Sequence, residues 1–442
     1  MHSECSQCSR EVVVQVGIIG AGPAGLLLGA ALARRGHAVV AVDPDPGPDT
    51  GDRWARRGVM QFHHPHGVRQ QMGEALRAEL PEAWDACLAA GAEPLTFVLD
   101  DGTRLPAGMR VRRETFERAL RSVAAREPGL TLRRGHVDRV GVEDGRARGL
   151  VVDGEHLPTE LVVDASGRNG RVTRDLGPAP VAGGDTGIAY VSRQYRLHDG
   201  AEPGPMSNPL AWEARLDGYQ VIVFRHERGI FSVLLVRPAD ALHDLRHEAA
   251  FTAACRAVPG LCDWTDPDRS APITPVLPGG RLYNHYRAQP DVGGLVLLGD
   301  AVCTTTPMFG RGLATTAMQV RALLDRVDTG DTGSFGAWCD AAMLPWVHDH
   351  TRSDDHWRRV WSGGDVDLTR RIPSDLILAA AAADPRIAPA LGPYLAMLAG
   401  PESLDPVEPL ARAVYQGGWR APLADGPGRD ELAEVVRAAV AA

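Results

Sequence analysis

The chain contains no lysine: all 47 of its basic residues are arginine. Every chemistry that needs an ε-amine is therefore excluded, including a lysine Schiff base and the phosphate-binding lysine of a Walker-type loop. Long apolar runs are missing too. None reaches the roughly 18 residues of a membrane span. A formal net charge of -9 argues against a nucleic-acid surface, which would show a basic patch. The seven cysteines are odd in number and scattered, as expected of reduced thiols. Cys5 and Cys8 form a CxxC, but no second pair or histidine doublet completes a zinc set, so no metal site is expected. The stretch Met1 to Gln15 is polar and lacks the basic-then-apolar order of a secretory signal, which predicts a cytoplasmic protein.

What is present is an ordinary globular composition, 44% hydrophobic and 23% charged, over 442 residues. That length suits about two or three domains. The β-branched run Val13 to Ile19 ends in Gly20-Ala21-Gly22-Pro23-Ala24-Gly25 and reads as a buried parallel strand running into a glycine turn. Pro23 to Arg35 reads as a helix stopped by Gly36, and Ala38 to Val42 as a second strand closing at Asp43. This is a dinucleotide-binding βαβ unit. Gly20 permits the tight bend, Gly22 lets the backbone approach a pyrophosphate, and Gly25 lets the helix pack on the strand. The helix N-terminus faces the phosphates. Asp43 stands where an acid accepts hydrogen bonds from ribose hydroxyls and repels a 2′-phosphate.

Further along, residues 70–89 and 113–126 have helical spacing, and 130–163 shows short alternating runs divided by Asp-Gly pairs, as in hairpins. Residues 186–236 alternate as strands. A helix is expected over 241–257 and another over 310–327, and the pattern is mostly helical from Ser334 onward. A second glycine stretch follows the core strand Leu295 to Leu298: Gly299-Asp300, then Pro307, Gly310 and Gly312.

The paired stretches, with Gly29 and Gly36 extending the first, resemble the FAD motifs of the p-hydroxybenzoate hydroxylase-like superfamily. That superfamily includes aromatic hydroxylases, epoxidases, geranylgeranyl reductases and flavin halogenases. The resemblance implies an α/β fold: a Rossmann-like FAD-binding domain (12–180 and 291–330), an inserted β-sheet-rich substrate domain (181–290) and a helical C-terminal region (331–442). It implies FAD contacts from Gly20, Ala21, Gly22, Pro23, Ala24, Gly25, Asp43, Arg113 and Asp164 in the first part, and from Gly299, Asp300, Pro307, Gly310, Gly312 and Leu313 in the second. Arg57 and Val137 are further candidates. Asp300 would bond the ribityl chain, and the helix from Gly310 would direct its N-terminus at the pyrimidine edge.

The resemblance also implies the reaction. Reduced FAD would react with O2 to a C4a-hydroperoxyflavin that puts one oxygen atom into an aromatic or olefinic small molecule, by hydroxylation or epoxidation, in bacterial secondary metabolism. Ser166 stands where hydroxylases of this kind commonly carry an aspartate linked to FAD and NADPH. The electron source is therefore either NADPH or NADH directly, or a partner flavin reductase. Halogenases carry a lysine and a Trp-x-Trp-x-Ile-Pro motif, and this chain has neither. A dehydrogenase or double-bond reductase is the alternative enzyme, and a ligand carrier on the same fold the alternative without catalysis. For acid–base chemistry the candidates are His63, His64, His66 and Arg311, although a histidine cluster also suits a polar loop.

Overall fold

The computed structural model describes residues 13–48, 54, 56, 58–98 and 102–441. A five-stranded parallel sheet is ordered Leu295–Leu297, Leu161–Asp164, Gln15–Ile19, Ala38–Asp43, Leu130–Arg134. The first glycine turn thus leaves the central strand. The helix Pro23–Arg34 is buried from Pro23 to Ala33 without a polar face, as a helix packed on all sides must be. Gly29 makes this possible. A Cβ there would come within 3.2 Å of both Ile18 Cδ1 and Leu130 Cδ1.

Leu130–Arg134 corrects the hairpin expectation for 130–163. It pairs in parallel with Ala38–Asp43, while Val137–Glu143, Arg146–Val152 and Glu155–Pro158 form the hairpins. Alternation reports a strand but not its partner. The helix expected over 70–89 is two helices, Gln70–Glu79 and Pro81–Ala89. Pro81 forces Leu80 out of the helical region, to φ -143° and ψ 67°. The helix expected from Gly310 begins at Gly312, because Gly310 is left-handed at φ +59°. Over 241–257 a short 3-10 turn, His243–Arg246, precedes the helix Glu248–Ala257.

A mainly antiparallel sheet forms the second layer, ordered Ala211–Leu216, Tyr219–Arg225, Ile230–Pro238, Ala182–Leu197, Leu277–Tyr286 and Cys303–Thr304. Its central strand, Ile230–Pro238, is buried throughout, so its two faces are both covered. Val221, Val223, Val233 and Leu235 face a core closed by the helices Glu248–Ala257 and Arg429–Ala441. The alternate residues Ile222, Leu234 and Val236 join Tyr190, Leu282, Trp357 and Trp361 on the other side. This period of two gives the sheet one structural face and one that looks toward the glycine turns. The helix Leu344–Trp361 packs along it. Among the described residues no helix is long and apolar enough to cross a membrane.

Candidate active site

A cleft of about 1580 Å³, its open mouth included, lies between the parallel sheet and the antiparallel sheet. Two helices present their N-termini at it. Pro23–Arg34 and Gly312–Thr329 both lack a side-chain cap, and Gly22, Pro23, Ala24, Gly312 and Leu313 line the cleft. Uncapped first-turn N–H groups and the positive dipole end favour phosphate or another anion. The turn itself is shaped by its glycines. Gly20 has φ +99°, and a Cβ on it would sit 2.7 Å from the carbonyl oxygen of Ala165. A Cβ on Gly22 would meet no heavy atom closer than Arg56 Nη1 at 3.7 Å, so the backbone there is open to the cleft.

Asp43 stands at the end of its strand, 7% exposed. Its Oδ2 accepts from Ala21 N at 2.7 Å and Arg56 Nη2 at 2.8 Å, and its Oδ1 from Asp45 N at 2.8 Å. A carboxylate has about four acceptor sites, so among the described residues one on Oδ1 stays open for a ribose hydroxyl. Arg56 is buried between Asp43 and Glu117, with Nη1 2.7 Å from Glu117 Oε2. Arg113 also binds Glu117, through Nε, and reaches His66 Nε2 through Nη1 at 3.1 Å. Asp300 lines the cleft as well. Its carboxylate makes no hydrogen bond with a described residue. Loss of solvation raises its pKa, against the opposing charges of Arg113 and Arg168. A free acceptor flanked by two guanidiniums suits a polyol hydroxyl.

The histidines separate. His63 lies outside the cleft lining, 3.7 Å from Glu114. His64 lines the cleft, with Nδ1 2.7 Å from Ser192 Oγ and its ring edge-on to Tyr190 at 4.8 Å. Burial, followed by the neighbouring His63, lowers its pKa to about 4. His66 accepts at Nε2 from Arg113, because a guanidinium only donates, and so its proton sits on Nδ1 and is donated to the His64 carbonyl at 2.9 Å. Burial and Arg113 push its pKa well down. Both cleft histidines are neutral imidazoles near pH 7 and hold their positions by hydrogen bonding.

The loop Pro307–Gly312 is braced from behind. Arg311 is 3% exposed, with Nη1 3.1 Å from Asp349 Oδ2 and its guanidinium 4.5–4.8 Å from the rings of Trp346, Phe309 and Tyr394. Arg69 donates to the Phe309 carbonyl at 3.1 Å and to the Leu395 carbonyl. Burial lowers its pKa to about 10. Thr306 gives its N–H to Asn284 Oδ1 at 2.8 Å, and its hydroxyl lies 3.2 Å from Asp354 and 3.0 Å from His350 Nδ1. Asn284 Nδ2 then donates to Asp354 Oδ2 at 2.6 Å.

Burial raises the Asp354 pKa to about 7. A carboxyl whose folded pKa exceeds its unfolded value binds more protons when folded, so its contribution to stability is full below about pH 4 and is lost as pH rises to about 7. Asp354→Asn preserves an acceptor for Asn284 and a donor for Thr306. It is expected to remove a decline on the order of 2–4 kcal/mol in wild-type stability across that window. Urea unfolding at pH 4.5 and 8 checks this; equal pH slopes for the two proteins would contradict it.

Of the expected cofactor contacts, Gly20, Gly22, Pro23, Ala24, Asp43, Arg113, Asp300, Pro307, Gly310, Gly312 and Leu313 line the cleft. Ala21, Gly25, Asp164 and Gly299 lie behind it and shape it. Asp164 accepts from Ser166 N at 2.9 Å and from the Thr173 hydroxyl, which closes the turn bearing Ser166 and Arg168. Gly299 N donates to Gln319 Oε1 at 2.8 Å. Val137 is not in the cleft lining; it packs with Ile19, Val42 and Val162 in a separate apolar cluster. Arg57 lies outside the described residues. Arg56, Glu117, Arg69, Arg168 and Asp349 were not singled out by the sequence, although Arg113 and Glu117 do carry an i,i+4 ion-pair spacing.

The model of the lycopene cyclase protein family matches residues 15–183. L-aspartate oxidase of Pyrococcus abyssi is 25% identical over 172 residues, 35% of this chain; the chain spans 37% of the length of that curated relative. Three solved structures are similar over most of the chain, each 17% identical. The flavin-dependent brominase Bmp2 has TM-score 0.64 and covers 92% of this chain and 100% of its own. The flavin-dependent halogenase CmlS has TM-score 0.62, with 97% and 78% covered. PqsL, a probable FAD-dependent monooxygenase from Pseudomonas aeruginosa, has TM-score 0.57, with 80% and 99% covered. The chain has the fold of the flavin-dependent oxidoreductases. Its fold is the one shared by these two flavin-dependent halogenases and the probable FAD-dependent monooxygenase.

Proposed function

We propose that the protein is an FAD-dependent monooxygenase that inserts one oxygen atom from O2 into an aromatic or olefinic small molecule, by hydroxylation or epoxidation. The observation that carries this reading is a single cleft with two uncapped helix N-termini on one wall and Tyr190, Phe224 and Leu282 of the antiparallel sheet on the other. When bound there, FAD supplies the two-electron redox chemistry and the activation of O2.

The chain's own tasks follow from the residues. The Gly20–Gly25 turn and the helix after it hold the phosphates. Asp43 and Asp300 accept from ribose and ribityl hydroxyls, and the N-terminus of Gly312–Thr329 stabilises negative charge on the ring system. Arg69 and Arg311 fix the loop between them. Tyr190, Phe224 and Leu282 orient an apolar substrate and keep water away from the reacting centre. Reducing equivalents come from NADPH or NADH, or from a partner flavin reductase.

Reaction under 18O-labelled O2 tests the proposal: one labelled oxygen atom per product molecule is expected, and an unlabelled product would sink it. Bromide and chloride belong in the same assay, because halogenases share this fold. No halogenated product is expected from a chain without lysine. Turnover under anaerobic conditions with an artificial electron acceptor would instead favour a dehydrogenase.

A further inference from the structure

A second cavity, of about 880 Å³ with its open mouth included, adjoins the cleft. Its walls are Pro180 to Gly184, Tyr283 to His285, and Arg168 with Asn169. Arg168, Asn169 and Tyr283 also line the cleft, so they form a wall common to both spaces. Arg168 is half-buried and makes no hydrogen bond or ion pair with a described residue. The other cleft arginines are all committed: Arg56 to Asp43 and Glu117, Arg113 to Glu117, Arg311 to Asp349. The charge of Arg168 acts on both sides of the wall, on Asp300 and Tyr190 in the cleft and on His285 in the second cavity.

Among the described residues no carboxylate lines this second cavity. The adjoining Asp185 is paired with Arg281 at 2.8 Å, and Asp354 is turned to the amide of Asn284 from behind. The rim is apolar and open. Val181 is 59% exposed and Tyr283 42%, and a Cβ on Gly184 would meet nothing within 4 Å. Gly183 lets the two strands approach this closely; a Cβ there would stand 2.2 Å from the Asn284 carbonyl oxygen.

We propose that this second cavity binds a small organic oxyanion, whose carboxylate or phosphate pairs with Arg168 while its apolar or aromatic body lies along Val181, Gly184 and Tyr283. A guanidinium fork matches two oxygens of such a head group. The exposed apolar surface of Val181 and Tyr283 beside the guanidinium gives such a body something to lie on, which a lone ion would not use. The shared wall sets the bound head group next to the cleft, across Arg168, Asn169 and Tyr283, in the place of a co-substrate. Only this last role rests on the proposed function; the anion site itself does not.

Calorimetric titration of the purified full chain with benzoate and, separately, with inorganic phosphate tests the proposal, with flavin content read by absorbance in the same samples. Benzoate is expected to bind the wild type, and Arg168→Gln to weaken it by about ten- to hundredfold with the unfolding midpoint retained. Val181→Trp, which fills the mouth without touching charge, is expected to weaken benzoate and spare phosphate. Benzoate affinity unchanged in Arg168→Gln overturns the site, whether or not the flavin is lost. Phosphate binding as tightly as benzoate, with Val181→Trp affecting neither, overturns the organic class. A chain that takes up no FAD defeats the proposed function, while the benzoate comparison still decides the site.

Discussion

Gly25→Ala is expected to destabilise the protein by about 3 kcal/mol and to abolish flavin uptake. The new Cβ would lie 2.0 Å from the Gly20 carbonyl oxygen and 3.1 Å from its carbon, so backbone must move against backbone. Neither side is free to move. The helix is held by Leu26, Leu27 and Leu28, all fully buried, and by the close seat of Gly29 on Ile18. Gly20 is held by its N–H to the Val42 carbonyl at 2.7 Å and by the Ala165 carbonyl on its other side. Relief requires opening the core or unwinding the first turn, and either removes the N–H groups from the phosphate position.

Gly22→Ala separates the two effects. Its Cβ meets only Arg56 Nη1, at 3.7 Å, so stability should stay within about 0.5 kcal/mol of wild type. The methyl group stands where the backbone faces the cleft, and flavin affinity should drop by about two orders of magnitude, as expected where a ligand needs close backbone approach. Urea midpoints and the flavin absorbance of the purified variants check both. A stable, fully flavinylated Gly25→Ala protein would show that the turn does not set the helix.

The first turn was legible because its signals are local. A β-branched run, glycines at fixed offsets and an acid at the end of the next strand each act through backbone geometry within about thirty residues. The second stretch was legible through its resemblance, and Asp300, Pro307, Gly310 and Gly312 do line the same cleft as Gly20 and Asp43. What stayed hidden depends on side chains that meet only after folding. Arg57 was the candidate, and it lies outside the described residues; its neighbour Arg56, which was not singled out, is buried against Asp43 and Glu117. Asp164 looked like a cofactor contact, yet its oxygens are occupied by Ser166 and Thr173, a link across a turn that no periodicity encodes. The helix Leu344–Trp361 and the turn after it were read only as part of a mostly helical tail. Trp357 packs on the antiparallel sheet, and Asp365 is an exposed partner of Arg420. The polar residues of that helix that matter, Asp349, His350 and Asp354, are also buried; His350 and Asp354 stand seven and three residues before Trp357, on the same face, and Asp354 reaches Asn284 of the sheet.

Arg311→Leu is expected to cost about 3–5 kcal/mol, although Arg311 was a candidate for catalysis rather than for support. The ion pair with Asp349 is almost dry, its side chains 4% and 0% exposed. Asp349 also accepts from Tyr394 Oη at 2.7 Å and from the Ser374 hydroxyl. Without Arg311 these two hydroxyls would have to hold a buried anion by themselves, and the space among Phe309, Trp346 and Tyr394 would be partly emptied. Because Phe309 belongs to the loop between the two ends of the cleft, flavin affinity should fall with stability.

Arg311→Lys separates charge from shape. An ammonium keeps the pairing but loses the planar stack on three rings, so an intermediate loss is expected. The double variant Arg311→Leu/Asp349→Leu removes the stranded charge and should recover part of the stability without recovering the flavin. Urea unfolding of the wild type, Arg311→Leu, Asp349→Leu and the double variant gives the coupling energy directly. Strictly additive losses would mean that Asp349 is stabilised elsewhere, and a stable Arg311→Leu protein with full flavin would return Arg311 to the chemistry of the cleft.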